Sequence, residues 1–236
     1  MPKNNNGSLF ITGTDTGVGK TIVTSLLARH MIENGLRVAT QKWVQTGCRQ
    51  GDEDVLVHMK HMGWQEPSQG LREDLVPYRF MHPSSPHLAA KLENSRVDTS
   101  NIVEAYNKLT NRYDHVIIEG SGGILVPLNE DRTTADLIEE LSLPVLVVAG
   151  NRLGAINQTL LTLEALSKRV IDVLGVVFNR TSEGGDDIIL GDNLRIVEKI
   201  SGARVLGELP YSEDIDALYG AFRPIGRAIL EIGGLL

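Results

Sequence analysis

Cysteine is almost absent: Cys48 is the only one in 236 residues. A lone thiol excludes an intrachain disulfide and any metal site built from clustered cysteines, and it fits a reducing compartment. Aromatic residues make up 5% of the chain, so a core must be assembled mainly from aliphatic side chains. Long hydrophobic runs are also missing. The apolar stretch at residues 143–149 falls far below the roughly 20 residues of a membrane-spanning helix. The opening Met1-Pro2-Lys3-Asn4-Asn5-Asn6-Gly7 is polar, and the apolar run behind it stops at residue 11, so no secretory leader is expected. Basic charge is in deficit, with 23 Lys and Arg against 30 Asp and Glu and a net charge of −7. That balance argues against a nucleic-acid groove or an anionic membrane as the main partner. The expectation is a cytoplasmic protein that needs neither.

What is present is ordinary globular material: 42% hydrophobic and 22% charged residues. Residues 1–236 are long enough for one sizeable core and are expected to form a single domain. Short aliphatic runs alternate with helical spacing. Strands are expected at residues 9–12, 36–43, 75–80, 115–118, 144–148, 173–178 and 205–206. Helices are expected at 21–34, 53–62, 84–93, 99–112, 135–141, 154–168, 188–200 and 221–232. Continuous aliphatic strands separated by helices imply a sheet covered on both faces. The fold class is therefore α/β, with a mostly parallel central sheet flanked by helices. In such sheets ligands gather at the carboxyl ends of the strands.

The first strand runs into Gly13-Thr14-Asp15-Thr16-Gly17-Val18-Gly19-Lys20-Thr21, and a helix follows. Strand, glycine-rich loop and helix make up the context of a phosphate-binding loop. Gly17 and Gly19 let backbone N–H groups converge on phosphate oxygens, beside the positive end of a helix dipole. Lys20 carries the charge for β- and γ-phosphates, and the Thr21 hydroxyl is placed to ligate Mg²⁺. A parallel ATPase group carries a second lysine near the start of this loop. Asp15 stands there, which disfavours the partitioning subgroup but leaves the fold open.

Other strand ends hold further candidates. Lys42 breaks a strand that is otherwise ready to be buried, and such a lysine can stabilise charge on a transferring phosphoryl group or simply extend along the surface. Glu119 tips the strand at 115–118 and is a candidate second Mg²⁺ partner, and Gly120-Ser121-Gly122-Gly123 would let a substrate approach the backbone. Asp52, Glu53 and Asp54 head a helix, where any of the three could cap it or hold the metal. Asn179, beside Arg180, could pair with a base edge or sit in an ordinary turn. His58 and His61 share helical spacing without a third ligand and read as a solvated face. Trp64 reads as packing.

The loop, together with Lys42-Trp43-Val44-Gln45-Thr46-Gly47, Ser85-Pro86-His87, Glu119-Gly120-Ser121-Gly122-Gly123, Leu153-Gly154-Ala155-Ile156-Asn157 and Gly207-Glu208-Leu209-Pro210, resembles the dethiobiotin synthetases, in their order, over roughly residues 8–220. The resemblance implies a P-loop enzyme of biotin biosynthesis. It would close a ureido ring on 7,8-diaminopelargonic acid with CO₂ and MgATP, through a carbamate and a carbamic-phosphoric anhydride. Gly17, Val18, Gly19, Lys20, Thr21 and Ile22 would bind the nucleotide phosphates, with Gly120, Ser121 and Gly122 close by. Thr21, Asp54 and Glu119 would hold Mg²⁺, and Lys42 would be the catalytic lysine at the carbamate, with Lys20 of the loop the second catalytic residue. Thr16, Lys42 and Thr46 would touch the substrate. Asn179, Arg180, Leu209, Pro210 and Tyr211 would line the adenine site. The family is dimeric, so Leu153, Gly154 and Asn157 would complete the substrate site across a homodimer interface. Trp43 stands where the family usually has proline, and Gly17 where some members have an acid. The alternatives are a cobyrinic-acid-type amidation enzyme, for whose glutaminase domain the length leaves little room, and a nucleotide-dependent regulatory ATPase.

Overall fold

The structure, a computed structural model, describes residues 7–48, 54–65 and 68–234. The chain runs β1 (Leu9–Gly13), α1 (Lys20–Glu33), β2 (Val38–Lys42), β3 (Val44–Thr46), α2 (Asp54–Met62), α3 (Gln69–Leu75), β4 (Tyr78–Phe80), α4 (Pro86–Leu92) and α5 (Thr99–Thr110). It continues through β5 (His115–Gly123), α6 (Thr134–Leu141), β6 (Val145–Gly150), α7 (Ala155–Lys168), β7 (Val173–Asn179), α8 (Asp187–Ser201), β8 (Val205–Leu209) and α9 (Ile215–Gly233). Among the described residues, six strands form one sheet in the order β2-β5-β1-β6-β7-β8, and each neighbouring pair is parallel. This is the α/β architecture expected from the alternating pattern.

Side chains of successive strand residues point to opposite faces, so a buried parallel strand feeds two cores. Leu9 and Ile11 join Leu26, Leu27, Phe222 and Ile229 of α1 and α9 on one face. Phe10 joins Ile102 and Leu109 of α5, Leu137 of α6 and Leu166 of α7 on the other. Leu26 is fully buried, and truncation of such a side chain to alanine costs about 2–5 kcal/mol.

Several boundaries differ from the expected ones. The strand at 36–43 stops at Lys42, and Trp43 turns inward before β3 begins. Its ring packs against Phe10 at a centroid distance of 4.7 Å, and its indole N–H donates to Gln41 Oε1 at 3.2 Å. β3 then pairs with β4 in a separate two-stranded sheet, and α3 occupies the start of the segment expected to be extended. β5 continues through Glu119 to Gly123, because Ile11 pairs with Glu119 and Gly13 with Gly123. α9 begins at Ile215 rather than 221, since the Asp214 carboxylate accepts from the N–H groups of Asp216 and Ala217 and caps it.

Candidate active site

The loop between β1 and α1 bends through left-handed backbone at Gly17 (φ 69°) and Gly19 (φ 96°). Gly19 is the N-cap of α1 and supplies no side-chain cap, so the first N–H groups of the helix have no side-chain acceptor. A Cβ at Gly19 would stand 2.1 Å from Asn179 Nδ2. That amide donates to the Val18 carbonyl at 2.9 Å and fixes the loop against the end of β7. Lys20 is buried and donates from Nζ to the Asp15 carbonyl at 3.0 Å. Burial, and then the nearby Lys42 charge, pull its pKa down to about 8. The Asp15 carboxylate accepts from the Thr16 N–H at 2.7 Å, from Arg152 at 3.3 Å and from Gln158 at 3.4 Å.

Beside the loop lies a compact charge cluster. Lys42 and Glu119 are register partners across β2 and β5. Lys42 Nζ reaches Glu119 Oε1 at 2.7 Å, Asp54 Oδ2 at 2.7 Å and the Gly120 carbonyl at 3.0 Å. Thr21 Oγ1 donates to the same Glu119 Oε1 at 3.1 Å. Burial alone would lower the Lys42 pKa, but the Glu119 and Asp54 carboxylates outweigh it and raise the value. Burial would likewise raise Glu119, yet Lys42 and the hydrogen bond from His58 hold its carboxyl well below the usual range. The reading of Lys42 as a surface side chain is excluded by its 4% exposure.

A cleft of about 470 Å³ opens over this cluster. It brings together Thr16, Gly17, Gly19, Lys20, Thr21, Ile22, Lys42, Thr46, Asp54, Glu119, Ser121 and Gly122, and adds Gln45. Gln45 Oε1 accepts from the Asp54 N–H at 3.3 Å and so helps seat the start of α2. Asp54 is the acid of the 52–54 group that meets Lys42; Asp52 and Glu53, like the polar residues 1–6, lie outside the described residues. Val18 is buried behind the loop, and the Ser121 hydroxyl donates to the Val44 carbonyl.

The remaining candidates lie elsewhere on the same strand ends. Arg180 is held by Glu208 at 2.7 Å and 3.2 Å and by Asp187 at 3.3 Å. Glu208 also accepts from Asn151 at 2.6 Å, which makes a polar clamp across β6, β7 and β8. Leu209 is buried at the end of β8, and Pro210 and Tyr211 follow it on the surface. Leu153, Gly154 and Asn157 are exposed at the start of α7, where Gly154 (φ 89°) also leaves the helix without a side-chain cap.

His58 corrects the sequence reading. It is not on a solvated face: it is completely buried, with Nε2 2.8 Å from Glu119 Oε2. Its neighbour His61 is half-buried and shares a 2.8 Å hydrogen bond with Ser25. Trp64 packs as expected, stacked on Tyr113 at 5.5 Å. Asn151 carried no sequence signal; Gln45 and Glu208 lie inside motifs that carry the resemblance, but their contacts with Asp54 and with Asn151 and Arg180 were not legible there.

Two carboxylates and a hydroxyl facing one cleft form a hard-oxygen donor set that suits Mg²⁺. Among the described residues, no group of three or more His, Cys, Asp or Glu side chains forms a metal cage of its own. A metal here would therefore share its ligation with phosphate oxygens.

An uncapped glycine loop at the end of β1, in a sheet of this order, defines a P-loop nucleotide-binding protein. The fold is shared with a ParA family ATPase of Chlorobium tepidum TLS (TM-score 0.54, 14% identity, 97% of this chain and 99% of that one). It is shared equally with the Aquifex aeolicus cell division protein MinD (TM-score 0.56, 13% identity, 97% and 95%). A family described as an AAA domain matches residues 7–218. The ATP-dependent dethiobiotin synthetase BioD 2 of Haemophilus influenzae is 44% identical over 171 residues, covering 72% of this chain and 90% of the relative. The BioD enzymes of Chlorobaculum tepidum (41% over 202 residues, 86% and 84%) and Thermodesulfovibrio yellowstonii (38% over 218 residues, 88% and 90%) align as broadly. The chain belongs to the dethiobiotin synthetase family.

Proposed function

We propose that this chain closes the ureido ring of dethiobiotin from 7,8-diaminopelargonic acid and CO₂, converting ATP to ADP and phosphate. The observation that carries the reading is a buried lysine, Lys42, set between two carboxylates beside an uncapped phosphate loop. One amine nitrogen of the substrate bonds to the carbon of CO₂ and loses a proton, leaving a carbamate. A carbamate oxygen then attacks the γ-phosphorus, ADP departs, and a carbamic-phosphoric anhydride remains. The second amine attacks the carbonyl carbon, loses its proton and expels phosphate as the ring closes. No protein nucleophile is required. Phosphoryl transfer depends on positioning and on charge stabilisation. Lys20 and the α1 N-terminus would hold the phosphates, and Lys42 would meet the charge that builds on the carbamate and the transferring group.

Thr21, Asp54 and Glu119 would hold Mg²⁺ with the nucleotide, where the ion would supply Lewis-acid neutralisation of phosphate charge. Thr16 and Thr46 would contact the diamine. Asn179, Arg180, Leu209, Pro210 and Tyr211 would line the adenine side, Arg180 from within its clamp with Glu208. The enzyme would act as a cytoplasmic homodimer, with Leu153, Gly154 and Asn157 of one subunit completing the substrate site of the other. Exposed Leu125 and Leu161 support such a contact, because they border an apolar groove of about 420 Å³ along α7. Neither nucleic acid nor membrane is a partner in this reading; no helix among the described residues is long and apolar enough to cross a membrane. The test is product detection with diaminopelargonate, bicarbonate and MgATP. Dethiobiotin should appear in step with ADP, and equal ADP release without the diamine would refute the reading.

A further inference from the structure

α2 grips the Lys42–Glu119 pair at two points. Asp54 and His58 are four residues apart on this helix and therefore share a face. Asp54 Oδ2 takes the lysine at 2.7 Å, while His58 Nε2 takes the glutamate at 2.8 Å. The two Glu119 oxygens are thereby divided. Oε2 belongs to His58, and Oε1 faces Thr21 Oγ1 and Lys42 Nζ on the cleft side. His58 is completely buried, and among the described residues its Nδ1 has no hydrogen-bond partner. A buried polar atom without a partner is costly, and an aliphatic side chain would fill the same space without that cost. The single hydrogen bond of this ring, to Glu119, is what a histidine offers here and a leucine does not.

We propose that His58 is a positioning residue: by donating from Nε2 to Oε2 it holds Glu119 as a one-oxygen ligand, with Oε1 turned toward Thr21. This rests on the reading of Glu119 as a holder of the metal. Without the donor, Oε2 is free to join Oε1 on the Lys42 ammonium, which draws the carboxylate away from the Thr21 side. Groups that orient a metal-ligating side chain commonly change metal affinity about 10- to 100-fold when removed.

The experiment is Mn²⁺ binding to the full-length chain in the presence of ATP without the diamine, followed by electron paramagnetic resonance. His58→Leu should weaken Mn²⁺ by about tenfold or more. His58→Gln, whose amide places a donor near the same point, should recover affinity to within about threefold of the parent. ATP affinity measured in EDTA reports that the cleft is folded and should stay within about twofold in both variants, since the loop itself is untouched. His58→Met is run beside His58→Leu so that a folded variant lacking the donor is in hand. In a Glu119→Gln background, His58→Leu should add little, because the two changes act through one group. If Glu119→Gln weakens Mn²⁺ while His58→Leu does not, the positioning role is overturned and Glu119 stands as a ligand. If His58→Gln is as impaired as His58→Leu, the ring matters for packing alone and the proposal is likewise overturned. If Glu119→Gln leaves Mn²⁺ affinity unchanged, the metal reading itself fails, and the proposal falls with it.

Discussion

Helix α1 has a cavity of about 470 Å³ at each end, and the two differ in almost everything but size. At the N-terminal end, Gly19 leaves the backbone N–H groups without a side-chain acceptor, and the neighbouring charges of Lys42 and Glu119 are buried. At the C-terminal end the backbone is already satisfied: Asn34 returns both its N–H and its side-chain amide to the His30 carbonyl. The charges there are half-exposed to exposed, and most of them are paired. Arg29 joins Glu33 at 3.1 Å and Asp216 at 2.7 Å while stacking over the Tyr219 ring at 4.1 Å, and the Tyr219 hydroxyl donates to Glu33 at 2.6 Å. Cavity volume therefore does not distinguish a site from a seam between helices. Unmet backbone donors, set beside charges that cannot reach water, do distinguish them.

The comparison is broken most severely at Lys42. Lys42→Ala should lower kcat and kcat/KM together by about 10²–10³, the scale for losing a transition-state donor. ATP affinity by calorimetry should change by less than about threefold, because this lysine meets charge that develops during transfer. A near-normal single-turnover rate would reduce Lys42 to a structural ion pair. Lys20→Ala comes next, and should weaken ATP binding by roughly 10- to 100-fold along with turnover, as expected for a charge-assisted contact present in both ground and transition states. Gly19→Ala should be smaller. Positive φ costs a side chain about 1–2 kcal/mol, and the displaced Asn179 amide should also loosen the loop. A lower melting temperature and weaker ATP binding should appear together.

At the other end of α1, Tyr219→Phe should cost about 1–3 kcal/mol of stability, for the lost hydrogen bonds to the Glu33 carboxylate and the His30 ring, and leave kcat unchanged. A drop in turnover would mean that this end, too, communicates with the chemistry. The smallest effect concerns pH. Burial lowers the His30 pKa from its ordinary 6.5, so the unfolded chain takes up a proton before the folded one does. Stability should therefore fall as pH drops from about 7 toward 5, and His30→Gln should flatten that fall in thermal melts.

The N-terminal end of α1 was legible in the sequence because its signal is local: closely spaced glycines, then a lysine and a threonine, between a strand and a helix. Lys42 and Glu119 were legible as oddities at the ends of aliphatic runs. His58 was not, because helical spacing shows only that two histidines share a face. What that face meets depends on the pairing of β2 with β5, far from α2 in the chain. Glu119–Gly123 read as a loop on composition, but the register with β1 makes it strand. The start of α9 was missed by six residues, because its signal is the Asp214 cap rather than a change in hydrophobic spacing. The clamp of Arg180, Glu208 and Asn151 joins three strand ends and has no local signature at all.

Lys42 and Glu119 face each other because a backbone ladder aligns them, although 77 residues separate them in the chain. Thr21 and Glu119 are 98 residues apart. At roughly 5–20 residues per second, a ribosome would present the phosphate loop about 5–20 s before the acid that completes the cluster. Through that interval the segment that will form the phosphate loop exists without its acid. The charge cluster requires β5 to lie between β1 and β2, so it is a property of the assembled sheet and not of the loop alone.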